Sequence, residues 1–174
     1  MLFTEVEVMR LGLDRSNNSY VVILQEKEGD RLLPIWIGQA EAESIVIEMN
    51  SVKRARPLTH DLCKNLIVAM GGTLQRVQIT KVEDRTYYAE LHIAKTDRIV
   101  RVDARPSDSI AIALRFAAPI FAQDSLLSSL LLEDTAEQME NAEPVAEISE
   151  EMTAEQLQAY LQNLRPEDFG KFSM

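Results

Sequence analysis

The sequence predicts an α+β fold: a strand–strand–strand–helix unit used twice, with a mainly antiparallel, curled sheet and helices packed on it. Two observations predict it. Three alternating apolar stretches joined by short turns occur before residue 40 and again between residues 73 and 102. Each set is followed by apolar residues at helical spacing. The halves align at an offset of 65, where Ile35 meets Val100, Glu43 meets Asp108, Ser44 meets Ser109 and Ile45 meets Ile110.

Element by element, Thr4 to Leu11 alternates as a strand and Asp14 to Asn18 is a turn cluster. Tyr20 to Leu24 is a second strand. Leu32 to Ile37 is a third, with Pro34 favouring a sheet edge. Trp36 reads as a core residue of that strand. Ala42, Ile45, Val46 and Met49 fall on one face of a helix. A basic connector with Lys53, Arg54 and Arg56 leads to a second helix. Thr59 is its expected N-cap, Leu62, Leu66, Ile67 and Met70 are its expected buried stripe, and Gly71-Gly72 is its stop. Strands over Thr73 to Val82, Tyr87 to Ile93 and Ile99 to Val102 follow. A helix beginning near Ser107 then carries Ile110, Ala113, Leu114 and Ala117 on one face.

Composition then changes. Residues 1–132 hold 16 Lys+Arg and 17 Asp+Glu, a net of −1; residues 133–174 hold 2 and 11, a net of −9. This predicts a folded domain over 1–132, an acidic linker over 133–152 and a helical appendage over 153–174. In the last, Thr153 to Gln156 matches a capping box, and Leu157, Tyr160, Leu161 and Leu164 form one apolar face. A phosphate-binding surface is then a local feature of a near-neutral domain. No apolar run reaches the roughly 18 residues of a membrane span, and a cytoplasmic protein without membrane contact is expected. Cys63 is the single cysteine, so no internal disulfide forms, and its apolar setting predicts a buried thiol. An exposed sheet edge and an amphipathic terminal helix predict a homo-oligomer, most simply a dimer.

Chemistry concentrates at two helix starts. Asp103-Ala-Arg-Pro-Ser-Asp108 and Ala55-Arg-Pro-Leu-Thr-His-Asp61 share Ala-Arg-Pro, a hydroxyl residue and an aspartate. The two segments are expected to share one cleft. Metal-ligand pairs of cysteine or histidine, a P-loop and a nucleophile elbow are absent from the sequence, which disfavours nucleotide-driven enzymes and common hydrolases. Phosphodiester cleavage needs an activated nucleophile, a cation for the developing charge and a proton for the leaving oxygen. His60 is the candidate base or acid, with Asp61 beside it as a further catalytic candidate, or the two only cap a helix. Asp103 and Asp108 hold a divalent ion such as Mg²⁺ or Mn²⁺, or they only pair with Arg105 and face the helix dipole. Arg56 and Arg105 clamp phosphate in bidentate fashion, and Lys53, Arg54, Ser107 and Arg115 are further candidate substrate contacts. His92 reads as structural or exposed, and Glu41 and Glu43 as residues favouring a helix start.

Leu33-Pro-Ile-Trp-Ile-Gly38 with Glu41-Ala-Glu43, Arg56 to Asp61, and Asp103 to Asp108 with Ala113-Leu-Arg115 together resemble the bifunctional nuclease domain family over about residues 2–132. Leu164 to Phe169 is similar to an appendage of some bacterial members. The resemblance implies a nuclease for DNA and RNA on an α+β fold. It assigns no catalytic residues; the roles of His60, Asp61, Asp103, Arg105 and Asp108 come from their chemistry. The alternative is a non-catalytic module that recognises nucleic acid or another phosphate-bearing ligand.

Overall fold

The computed structural model describes residues 2–14 and 19–128. The linker and appendage expected at 133–174 lie outside the described residues. Strands β1 (Phe3–Asp14), β2 (Ser19–Glu26) and β3 (Leu32–Ile37) lead to α1 (Gln39–Met49), and α2 (Thr59–Ala69) follows. Strands β4 (Thr73–Glu83), β5 (Thr86–Ala94) and β6 (Ile99–Ala104) lead to α3 (Pro106–Phe116) and then β7 (Ile120–Gln123).

The sheet order is β3-β2-β1-β7-β4-β5-β6. Each strand triplet is an antiparallel meander, as its short turns require. The two meanders do not touch each other directly. The four residues of β7 lie between them, antiparallel to β1 and parallel to β4, so the sheet is mixed, with β3 and β6 as its outermost strands. Pro34 lies on edge strand β3, where a missing N–H is tolerated.

The repeat is real, but its register differs from the sequence alignment. β3 and β6 begin and end 67 residues apart, as do α1 and α3. This pairs Glu41, rather than Glu43, with Asp108.

The helices cover one face of the sheet: α1 packs on β2, α2 on β4, and α3 on β4 and β5. Val22, Leu24, Ile35, Ile45, Val77, Ile79, Leu91 and Ile110 belong to the buried core. At about 25 cal/mol per Å² of apolar surface removed from water, this burial is the main stabilising contribution. Val21, Ile23 and Leu32 form a smaller cluster, and Trp36, paired with Val21, is half-exposed rather than core.

α2 differs most from its sequence reading. Of the expected stripe only Ile67 is buried, while Leu62, Leu66 and Met70 are 52%, 50% and 64% exposed. Its N-cap is Leu58 rather than Thr59, and the Asp61 carboxylate accepts the Leu58 N–H at 2.8 Å. Cys63 is partly buried.

His92 is buried on the sheet face away from the helices. It pairs across strands with Arg76 and Arg101, and Glu90 Oε2 lies 3.2 Å from its Nε2. Burial pushes its imidazole below the ordinary value and Arg76 adds to this, while Glu90 opposes without reversing it. The folded state therefore favours neutral His92, and the unfolded chain takes up the proton near pH 6.5. Stability is intact above that pH and falls as pH drops toward the depressed folded value, by at most about 1.4 kcal/mol per pH unit for one proton. Urea midpoints at pH 7.5 and 5.5 should therefore differ more for the parent than for His92→Gln. Equal differences would contradict the assignment.

Candidate functional site

The first turns of the three helices meet. α1 starts after Gly38, where β3 ends, and its first turn carries Glu41. A side chain at position 38 would collide with the Glu41 carboxylate, so glycine leaves the room that group occupies. α3 starts after Arg105, with Pro106 in the first turn, where the missing N–H has no helical partner to lose, and Asp108 two residues on. α2 contributes His60 and Asp61 from its first turn.

Arg105 joins α1 to α3. Its Nε donates to Asp108 Oδ2 at 2.7 Å, and its Nη2 donates to Glu41 Oε1 at 2.7 Å and Asp108 Oδ1 at 3.1 Å. The Arg105 side chain remains 66% exposed, whereas Glu41 and Asp108 are 16% and 28% exposed. His60 joins α2 to both other helices. Its Nε2 lies 3.1 Å from Asp108 Oδ1, and its Nδ1 lies 2.7 Å from Ser44 Oγ on α1. A carboxylate only accepts, so Nε2–H donates to Asp108 and the Ser44 hydroxyl donates to Nδ1 when the ring is neutral. When the ring is protonated the hydroxyl turns to accept instead, and the geometry suits both states.

Asp108 and Asp61 are held in the ionised form. Burial raises the Asp108 carboxyl, but hydrogen bonds from Arg105 and His60 outweigh it and hold the group below the usual range. Burial likewise raises Asp61, and the Leu58 N–H with Arg115 outweighs it.

Behind this cluster Arg115 is buried, and its role is structural. Its Nε donates to Asp61, and its Nη1 donates to the backbone oxygens of Ala111 at 2.8 Å and Ser44 at 3.3 Å. Lys64 donates to the Arg115 carbonyl.

The expected shared cleft is thus half present. Arg105, Asp108, His60 and Asp61 come together, but Asp103 does not join them. Asp103 pairs with Glu90 on β5, and the neighbouring positions Ala89 and Leu91 point into the helix-covered core. Asp103 therefore faces the other side of the sheet, exposed, where its charge acts on Lys81. Asp103 and Asp108 cannot chelate one ion together. Among the described residues, no group of three or more His, Cys, Asp or Glu side chains is arranged to hold a metal. The Arg105 guanidinium already lies between Glu41 and Asp108, the place a divalent ion would need. Ser107 and Arg115 are buried and cannot be surface phosphate contacts, whereas Lys53, Arg54 and Arg56 are exposed on the connector before α2.

Sequence reasoning missed Glu41 and Ser44. Glu41 becomes visible at the 67-residue register, as the counterpart of Asp108. Ser44 gave no signal, because its role depends on a partner 16 residues away on another helix.

The bifunctional nuclease domain model matches residues 22–135. An uncharacterized protein of Mycobacterium tuberculosis is 41% identical over 167 residues, covering 95% of this chain and 97% of the relative. Bifunctional nuclease 1 of Oryza sativa subsp. indica is 29% identical over 116 residues, covering 65% of this chain and 35% of the relative. Bifunctional nuclease 2 of Arabidopsis thaliana is 32% identical over 106 residues, covering 59% and 32%. This chain thus spans about a third of these plant relatives. No helix among the described residues is long and apolar enough to cross a membrane.

Proposed function

Since this chain belongs to the bifunctional nuclease domain family, we propose that it hydrolyses phosphodiester bonds of DNA and RNA at the Glu41–Arg105–Asp108–His60 cluster. One observation carries the reading: a single hydrogen-bonded chain of carboxylate, guanidinium, carboxylate and imidazole joins the first turns of all three helices. Helix starts offer N–H groups and positive potential to anions. The exposed Arg105 presents a planar cation to phosphate, and Lys53, Arg54 and Arg56 extend the positive surface.

Each residue then has a task. Arg105 binds the scissile phosphate and stabilises the charge that develops on its oxygens. Glu41 fixes the guanidinium from the α1 side. The His60 Nε2–H already sits on Asp108 Oδ1, so the attacking water gives its proton to the Asp108 carboxylate, which passes it to the leaving oxygen, while His60 positions that carboxylate and Ser44 keeps the ring in orientation. Glu41 and Asp108 hold the Arg105 guanidinium between them, so in this reading the guanidinium supplies the positive charge at that place.

The test is turnover of single-stranded DNA and RNA by the full-length protein, with and without Mg²⁺ or Mn²⁺. Arg105→Ala should lower kcat at least tenfold while raising KM by less, because its guanidinium serves the transition state more than the ground state. Binding of both nucleic acids without turnover would overturn the enzymatic reading and leave a recognition module.

A further inference from the structure

The exposed stripe on α2 requires an occupant. Leu58, Leu62, Leu66 and Met70 recur every four residues along one helix face, and they are 39%, 52%, 50% and 64% exposed. Four large apolar side chains in a continuous row differ from scattered surface leucines and mark an interaction surface.

We propose that residues 153–164 of the same chain dock on this stripe as an amphipathic helix. Three observations select that occupant. The first is its own pattern: Leu157, Tyr160, Leu161 and Leu164 form a matching apolar face behind a capping box, and a helix this short is marginal without a partner. The second is charge. Glu147, Glu150, Glu151 and Glu155 precede or open the segment, while exposed Lys53, Arg54 and Arg56 precede the stripe. The third is reach. Ser128 bridges to Leu32 on edge strand β3, and α2 packs on β4, four strand positions away or about 19 Å at roughly 4.8 Å per strand. The 24 residues from 129 to 152 supply enough chain to cover that distance several times over at roughly 3.3 Å per residue. A tether of that length gives an effective concentration in the millimolar range, which favours the segment over a second copy at micromolar concentration.

Docking sets the acidic segment beside the connector cations and next to His60. The surface proposed for phosphate contact is then shared with the chain's own tail.

Disulfide trapping in the full-length protein tests the docking. In a Cys63→Ser background, Leu62→Cys with Leu161→Cys should oxidise within one chain at least tenfold faster than Ile99→Cys with Leu161→Cys. Ile99 is 51% exposed on the far edge strand β6 and serves as the reference. A disulfide between chains would assign the stripe to a second copy, and equal rates would leave it without the proposed occupant; either result overturns the proposal. Hydrogen exchange of the full chain gives an independent reading. Leu157→Asp with Leu161→Asp should raise exchange at residues 58–70 severalfold, and unchanged exchange there contradicts docking.

Discussion

Replacing His60 with alanine should reduce the proposed phosphodiester turnover by about 10²–10⁴-fold, the range for disturbing a positioned proton-transfer group. The expectation rests on two contacts of one ring: Nε2 on Asp108 at 3.1 Å and Nδ1 on Ser44 at 2.7 Å. In the variant Asp108, the proposed base, loses one of the two side-chain partners that hold it ionised and in place. KM should change much less, because Arg105 and the connector cations remain. Circular dichroism and a urea midpoint establish that the variant folds. A folded His60→Ala that cuts at the parent rate would remove the imidazole from the mechanism. Ser44→Ala is the milder companion: the ring keeps Asp108 but loses its second tether, and a loss of about tenfold is expected.

The sequence made the meanders legible because each is local: apolar alternation, a turn and alternation again, with partners a few residues apart. β7 was not legible. Ile120 to Gln123 is too short for a convincing alternation, and its partners on β1 and β4 are far away in sequence. The same limit applies to the site. Arg105 and Asp108 announced themselves by proximity in sequence, and His60 by its repeated motif. Glu41 and Ser44 depend on where α1 lies against α2 and α3. Asp103 misled because six residues of sequence look like one site, whereas a strand sends alternate side chains to opposite faces. The α2 stripe misled for the opposite reason. Its spacing marks an apolar helix face, but periodicity does not say whether anything covers that face.

Replacing Arg115 with methionine should destabilise the folded domain by about 3 kcal/mol, the lower end of the range for removing one partner of a buried ion pair. Methionine keeps comparable length and apolar bulk, so the cavity contribution is small. The electrostatic and hydrogen-bonding losses remain. Asp61 loses its cation, and the carbonyls of Ser44 and Ala111 lose their donor. The lower end applies because Asp61 is 29% exposed, and water partly replaces the guanidinium. At 2–4 °C per kcal/mol for a chain of this size, Tm should fall by about 6–12 °C. The pH dependence has a defined sign. The depressed Asp61 carboxyl stabilises the fold above the usual carboxylate value near 3.9 and loses that effect as pH falls through its lower folded value. The gap between parent and Arg115→Met should therefore narrow in acid, because the parent loses the pair there. Adding Asp61→Asn to Arg115→Met should recover part of the loss at neutral pH, since an amide beside the Leu58 N–H carries no uncompensated charge. A loss below about 1 kcal/mol, or a double variant no more stable than the single, would show that the Arg115–Asp61 pair contributes little to holding α2 against α1 and α3.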